Sequence, residues 1–191
     1  MKLIGLSGTN GSGKDSVGEI LASKYNYLFI SVSDLLRDEA ARRGEPIERE
    51  TLRTISAEWR REHGLGVLVD KAIEQFDEQG GFDEFAGLVI ASLRNPGESE
   101  RVHELGGKVV WTDADPKVRY DRIYSRQRTE EDIKTFEQFV EEEKAEMEHD
   151  GDAATLSMRE VKRSLDILVV NDGDSFEDLE KEVAKKLESV L

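Results

Sequence analysis

Residues 1–20, MKLIGLSGTNGSGKDSVGEI, decide the fold. Leu3, Ile4 and Leu6 form an apolar opening that runs straight into glycine-rich sequence, and Val17, Ile20 and Leu21 then fall on one helical face. That order predicts strand, loop, helix. Inside it, Gly8-Thr9-Asn10-Gly11-Ser12-Gly13-Lys14 is a G-x-x-x-x-G-K segment. Glycines at these places let successive backbone N–H groups point inward, and the helix N-terminus adds positive potential. Lys14 then reaches the terminal phosphates of a nucleotide. A plain glycine-rich turn with an exposed lysine would leave the flanking strand and helix unexplained. Gly8, Asn10, Gly11, Ser12, Gly13, Lys14, Asp15 and Ser16 are therefore the expected phosphate-binding residues. Asp15 stands where Ser or Thr normally offers a hydroxyl to magnesium, and a carboxylate there holds a hard cation directly or through water.

Composition limits what is built around that loop. A chain of 191 residues suits one domain with a substantial core and small inserted lids. The net charge of −15 argues against nonspecific binding to nucleic acid or to an anionic membrane. Phosphate-binding arginines should then be few and placed. There is no cysteine, so thiolate and disulfide chemistry are absent. The first strand opens at Leu3, which leaves no expected signal peptide, and no apolar run approaches membrane-spanning length. The expectation is a soluble, cytoplasmic monomer or homodimer.

Along the chain, a first helix is expected to about residue 24, and Tyr27 to Val32 form a nearly continuous apolar run typical of a buried parallel strand. A helix is expected from Ser33-Asp34, either of which can cap it, to Gly44-Glu45-Pro46. Further helices are predicted over 51–63 and 67–76, and a third strand over 88–91. Helix 98–105 and strand 108–112 follow, then a helix from about residue 116 that carries Arg119, Arg122 and Arg126, with Arg128 near its end. The acidic stretch 129–150 is expected to be an exposed, solvated helix. Ser157 and Glu160 have capping-box spacing. Strand 167–170 and an amphipathic helix lined by Phe176, Leu179, Val183, Leu187 and Val190 complete the chain, with no internal repeat or low-complexity linker.

Strands alternating with helices imply an α/β fold, a parallel sheet covered on both faces with right-handed crossovers. Ligands of such sheets bind at the carboxyl ends of the strands. Gly8 to Lys14, Ser33 to Arg37, Arg94 and Asn171-Asp172-Gly173 all fall at such ends.

Lys14's loop together with Ser33-Asp34-Leu35-Leu36-Arg37 resembles the P-loop nucleoside monophosphate kinases, over most of the chain. The resemblance implies a three-layer P-loop NTPase fold with a five-stranded parallel sheet, an acceptor-binding insertion at about 33–66 and a short lid at about 126–150. It further implies ATP and Mg2+ as cofactors and a nucleotide-like small-molecule acceptor, held by Ser33, Asp34, Arg37 and Arg94. By the same resemblance Lys14, Arg37, Arg94 and Arg126 are catalytic. Arg122 and Arg126, an R-x-x-x-R pair on one helix face, would by that resemblance cover ATP, and Gly173 is a further expected nucleotide-binding residue. Gly13-Lys14-Asp15 with Leu93-Arg94 is similar to phage-type deoxynucleoside monophosphate kinases. Val169 to Ser175 is similar to dephospho-CoA kinases and archaeal kinase-like proteins. For a ribose hydroxyl acceptor, Asp34 would be a useful base.

Two positions depart from the family pattern. Ala91 stands where an aspartate usually ends the third strand, so Asp15 and Asp34 become the expected metal ligands. Glu141-Glu142-Glu143-Lys144 replaces arginines expected in the lid. Both features favour a competing class, a noncatalytic or NTP-hydrolysing nucleotide-binding regulator. Arg60 and Arg61 are further candidates to face the acceptor, and Arg119 and Arg128 are balanced between phosphate and carboxylate partners. His63, His103 and His149 stand isolated in sequence and receive no chemistry. Trp59 and Trp111 are read as packing residues, with the acceptor base as an alternative neighbour for Trp59.

Overall fold

Leu3–Gly8 forms β1, in which every residue is buried. The other strands are β2 (Tyr27–Ser31), β3 (Gly87–Ala91), β4 (Lys108–Asp113) and β5 (Ile167–Val170). They pair in parallel in the order β2-β3-β1-β4-β5, with β1 central. The computed structural model describes residues 2–126, 135–147, 151–173 and 175–191, and of Arg126 the backbone alone.

Side chains alternate between the two faces of the sheet, as a pleated strand requires. Leu88, Ile90, Val109 and Trp111 enter one core, while Ile4, Leu6, Val89, Ala91 and Val110 enter the other. The helices are α1 (Lys14–Tyr25), α2 (Val32–Arg43), α3 (Arg49–His63), α4 (Val67–Glu78), α5 (Pro96–Glu104), α6 (Pro116–Arg126), α7 (Phe136–Met147), α8 (Met158–Arg163) and α9 (Phe176–Leu187). Val17, Ile20 and Leu21 of α1 meet Leu179, Val183 and Leu187 of α9 over the second core. Helices α2 to α5 and α8 cover the first. The result is the expected three-layer α/β fold with a five-stranded parallel sheet. The chain leaves β1 in one direction to build β2 and β3 and in the other to build β4 and β5. The crevice at the carboxyl end of β1 lies where the strand order reverses.

Several boundaries differ from the sequence expectation. Strand β2 ends at Ser31 because its partner β3 ends at Ala91, opposite it in register. Val32, buried in the core, therefore opens α2, and neither Ser33 nor Asp34 caps that helix. Helix α5 starts at Pro96, two residues before Glu98. Asn95 accepts from Gly97 N, and Glu98 returns to the Asn95 N–H, a complete capping box. The capping-box spacing at Ser157 is not used that way: its side chain makes no cap hydrogen bond, and its N–H donates to Arg94 O at 2.8 Å. Helix α9 stops at Leu187, short of Val190.

The acidic stretch 129–150 contains α7, but its charge is not simply a solvated face. Phe139 is buried against Tyr120, and Glu143 and Glu146 turn toward arginines. Arg128, Thr129 and His149 lie outside the described residues. Trp111 is fully buried, as a packing residue should be. Trp59 also packs on the core, under Lys71, and does not border the large cleft.

Candidate active site

Backbone geometry makes the loop between β1 and α1 a cradle. Gly11 (φ +79°) and Gly13 (φ +90°) occupy the left-handed region that L side chains rarely adopt. Space excludes a side chain as well: a Cβ on Gly13 would lie 2.3 Å from Asn171 Nδ2, and one on Gly11 2.7 Å from the Arg119 carbonyl oxygen. The loop is thus pressed from behind by α6 and by the segment after β5.

That support is hydrogen-bonded. Asn171 Nδ2 donates to Ser12 O at 2.9 Å, while Arg122 donates to Asn171 O at 2.9 Å and to Gly173 O at 3.0 Å. Arg122 and Gly173, expected over the nucleotide, form instead a brace behind the cradle. Neither lines the cleft. Arg126, the other member of the expected pair, has its side chain outside the described residues. Thr9 Oγ1 and Ser12 Oγ are buried without a protein partner among the described residues. Neither residue lines the cleft, so the cradle is presented by the loop backbone and not by these hydroxyls.

A cleft of about 990 Å3 extends from the cradle. Asn10, Gly11, Gly13, Lys14, Asp15 and Ser16 line one end. Ser33, Asp34 and Arg37 of α2, Arg49, Arg53 and Arg60 of α3, and Ser92 and Arg94 after β3 line the rest. The structure therefore brings together Lys14, Asp15, Ser16, Ser33, Asp34, Arg37 and Arg94, as the sequence predicts. Arg61 is not among them and pairs with Asp152 at 2.9 Å.

Lys14 Nζ lies 3.9 Å from Asp15 Oδ1; the lysine side chain is 14% exposed and the aspartate 57%. Arg37 holds Asp34 Oδ1 at 2.5 Å, so the two acceptor-side candidates share an ion pair at the cleft wall. Arg94 is fixed through its backbone. Its N–H donates to Glu98 Oε2 at 2.7 Å and its carbonyl accepts from Ser157. Glu98 is in turn clamped by the buried Arg60, which also donates to Ala154 O at 2.9 Å. Arg60 borders the cleft, yet its guanidinium is committed to this internal network.

Sequence reasoning missed three participants. Arg49 and Arg53 reach the cleft because α3 begins at Arg49, before the predicted start, and their four-residue spacing puts both on one face. Ser92 is buried with φ +71°, a backbone conformation costly for a non-glycine residue, at the carboxyl end of β3. No side-chain pattern announces such a dihedral. His103, isolated in sequence, meets Asp166 at 2.8 Å on the surface, away from the cleft.

Arg119 is buried on α6, donates to Ala114 O at 2.8 Å and is held by Glu143 of α7. Burial lowers its pKa, while the carboxylates of Asp113 and Asp115 act in the opposite direction. Its carboxylate partner resolves the sequence ambiguity between phosphate and ion pair in favour of the pair.

The cradle fits a nucleotide polyphosphate: the positive-φ glycines Gly11 and Gly13 and the side chain of Lys14 converge there. Donors for Mg2+ are sparser. Among the described residues no group of three or more His, Cys, Asp or Glu side chains is placed to hold a metal. Asp15, Asp34 and the Ser16 hydroxyl offer oxygen ligands along the cleft, which suits an ion that keeps water and phosphate oxygens in its shell.

The sheet, cradle and strand-end cleft define a P-loop NTPase of kinase-like fold. Residues 4–149 match the family described as AAA domain, and the chain belongs to that family. A UPF0200 protein of Methanococcus maripaludis is 28% identical over 189 residues, covering 97% of each chain. One of Pyrococcus abyssi is 29% identical over 196 residues, covering 99% and 97%. Among solved structures, shikimate kinase from Bacteroides thetaiotaomicron superposes with a TM-score of 0.58 at 17% identity over 98% and 97% of the chains. A gluconokinase from Sinorhizobium meliloti gives 0.52 at 18% identity over 98% and 91%. These likenesses establish the fold. No helix among the described residues is long and apolar enough to cross a membrane.

Proposed function

We propose that the protein transfers the terminal phosphoryl group of ATP to a nucleoside monophosphate or similar nucleotide acceptor. The observation that carries this is the continuity of one cleft from the phosphate cradle at Lys14 to the arginines at 37, 49, 53 and 94. Phosphoryl transfer is largely positioning and charge neutralisation, so no covalent nucleophile is required. Lys14 and the loop N–H groups hold the donor phosphates, and Arg37 and Arg94 hold the acceptor. Asp15, Ser16 and Asp34 are the groups that would hold Mg2+, which neutralises charge on the donor when bound. The bond from the γ-phosphorus to its bridging oxygen breaks as the acceptor oxygen bonds to phosphorus. On this reading residues 33–66 are the acceptor-binding insertion, α7 is the described part of a lid region, and the protein acts in the cytoplasm as a monomer or homodimer.

Coupled phosphotransfer assays with ATP and Mg2+ against ribo- and deoxyribonucleoside monophosphates and dephospho-CoA test the proposal. Turnover with a nucleoside monophosphate supports it. Turnover with dephospho-CoA alone moves the acceptor to a ribose hydroxyl, with Asp34, freed from Arg37, as base. A second class, a nucleotide-binding or NTP-hydrolysing regulator, is favoured by the fully buried Ala91 at the end of β3, where the acidic residue is missing. ATP binding without any acceptor is its signature.

A further inference from the structure

One carboxylate oxygen in the cleft region is shared by guanidinium groups from separate parts of the chain. Glu146 Oε1, near the end of α7, lies 3.1 Å from Arg53, 3.8 Å from Arg49 and 3.9 Å from Arg94. The arginines line the cleft, whereas Glu146 reaches them from an element distant in sequence. Met147 packs against the core beside it, so the end of α7 is seated on the protein. Glu142, Glu143 and Glu146 border a second, small cleft with Asn10 and Arg49, which sets the acidic face of α7 beside the phosphate cradle.

Guanidinium groups converging on a single oxygen provide the forked donors that suit a phosphoryl group. We propose that Arg49, Arg53 and Arg94 form the subsite for the acceptor's phosphate dianion, and that Glu146 is an internal stand-in that the phosphate displaces. Helix α7 is then a built-in competitive inhibitor: it keeps the arginines gathered and lowers affinity for any anion entering between them. The inference rests on the kinase reading only for calling that anion an acceptor; the anion site and its internal occupant stand on geometry alone. Partial exposure of all four side chains makes the competition modest and salt-dependent.

The test is a titration of the full chain with inorganic phosphate, its cradle first filled by a non-hydrolysable ATP analogue, read from arginine Nε–H resonances in wild type, Glu146→Gln and Arg53→Gln. Glu146→Gln should bind phosphate roughly three- to tenfold more tightly, with shifts at Arg49, Arg53 and Arg94, and the gain should shrink at high salt. Arg53→Gln should bind more weakly than wild type. Unchanged or weaker binding by Glu146→Gln, or shifts confined to other arginines, overturns the proposal. Should Glu146→Gln fail to fold, Glu146→Asp, with a shorter reach, is held to the same direction of change. Because the readout is phosphate binding, failure to find an acceptor in turnover assays would count against the kinase reading and leave this result standing.

Discussion

The side-chain amide of Asn171 donates to the carbonyl of Ser12 at 2.9 Å, joining the segment after β5 to the phosphate loop. The same amide nitrogen occupies the space that a Cβ on Gly13 would need. Gly13→Ala should therefore deform the cradle through both contact and positive φ, and lower ATP affinity at least tenfold with the fold retained. Asn171→Ala, which only removes the brace, should cost less. ATP titration alongside thermal melting separates the two effects, and an unaltered Gly13→Ala affinity would contradict the cradle geometry.

Lys14→Ala should abolish phosphotransfer while leaving the melting temperature close to wild type, since Lys14 lines the cleft and is no part of the hydrophobic core. Asp15 adds a metal dependence. A carboxylate in the first turn of α1 repels phosphate unless a cation intervenes. Nucleotide affinity should fall less steeply on Mg2+ removal in Asp15→Asn than in the native protein. Identical metal dependence in both would send the search for ligands to Asp34.

Arg37→Ala and Arg94→Ala should retain ATP binding but lose roughly 10²- to 10³-fold in turnover, the usual cost of one preorganised charged donor. Measuring ATP affinity and turnover on the same samples checks this. Loss of ATP affinity alone would move either residue to the donor side of the cleft.

Arg60 and Glu98 are a fully buried ion pair, with side chains 3% and 0% exposed. Removing one partner leaves the other charge buried without compensation, which costs about 3–5 kcal/mol. Chemical denaturation of Arg60→Met and Glu98→Gln should show that loss, together with impaired turnover because Glu98 also holds the Arg94 backbone. The double variant should recover part of the stability. Equal stability of either single variant and wild type would show the pair to be dispensable.

Acid should loosen the α2–α3 hairpin. Hydrogen bonds from Arg42 and then Arg43 hold Glu39 down from the ordinary glutamate value to about 2, and Arg43 continues to Glu58 on α3. A folded pKa below the unfolded one gives stability that is complete above about pH 4.5 and lost as pH falls toward about 2. Glu39→Gln should show a shallower loss of stability than wild type across that window, measured by denaturant melts at stepped pH. Parallel curves would exclude Glu39 as a contributor.

Local sequence carried the parts of this protein whose physics is local. The G-x-x-x-x-G-K loop, the helix face of Val17, Ile20 and Leu21 and the apolar runs at β1 and β3 are readable because glycine conformation, helical period and strand burial leave marks within a few residues. Those marks also placed Lys14, Asp15, Arg37 and Arg94 at strand ends, hence in one crevice.

Tertiary structure alone decided what each charge faces. Arg122 looks like a lid arginine in sequence, but packing turns it to the carbonyls of Asn171 and Gly173. Glu143 and Glu146 read as a solvated run until α7 is seated and their carboxylates meet Arg119, Arg53, Arg49 and Arg94. Glu98 looks like an ordinary helix start, yet it is a buried cap and the counter-ion of Arg60, 38 residues away. Coulomb attraction and desolvation depend on distance and burial, and neither quantity is written in the order of residues along the chain.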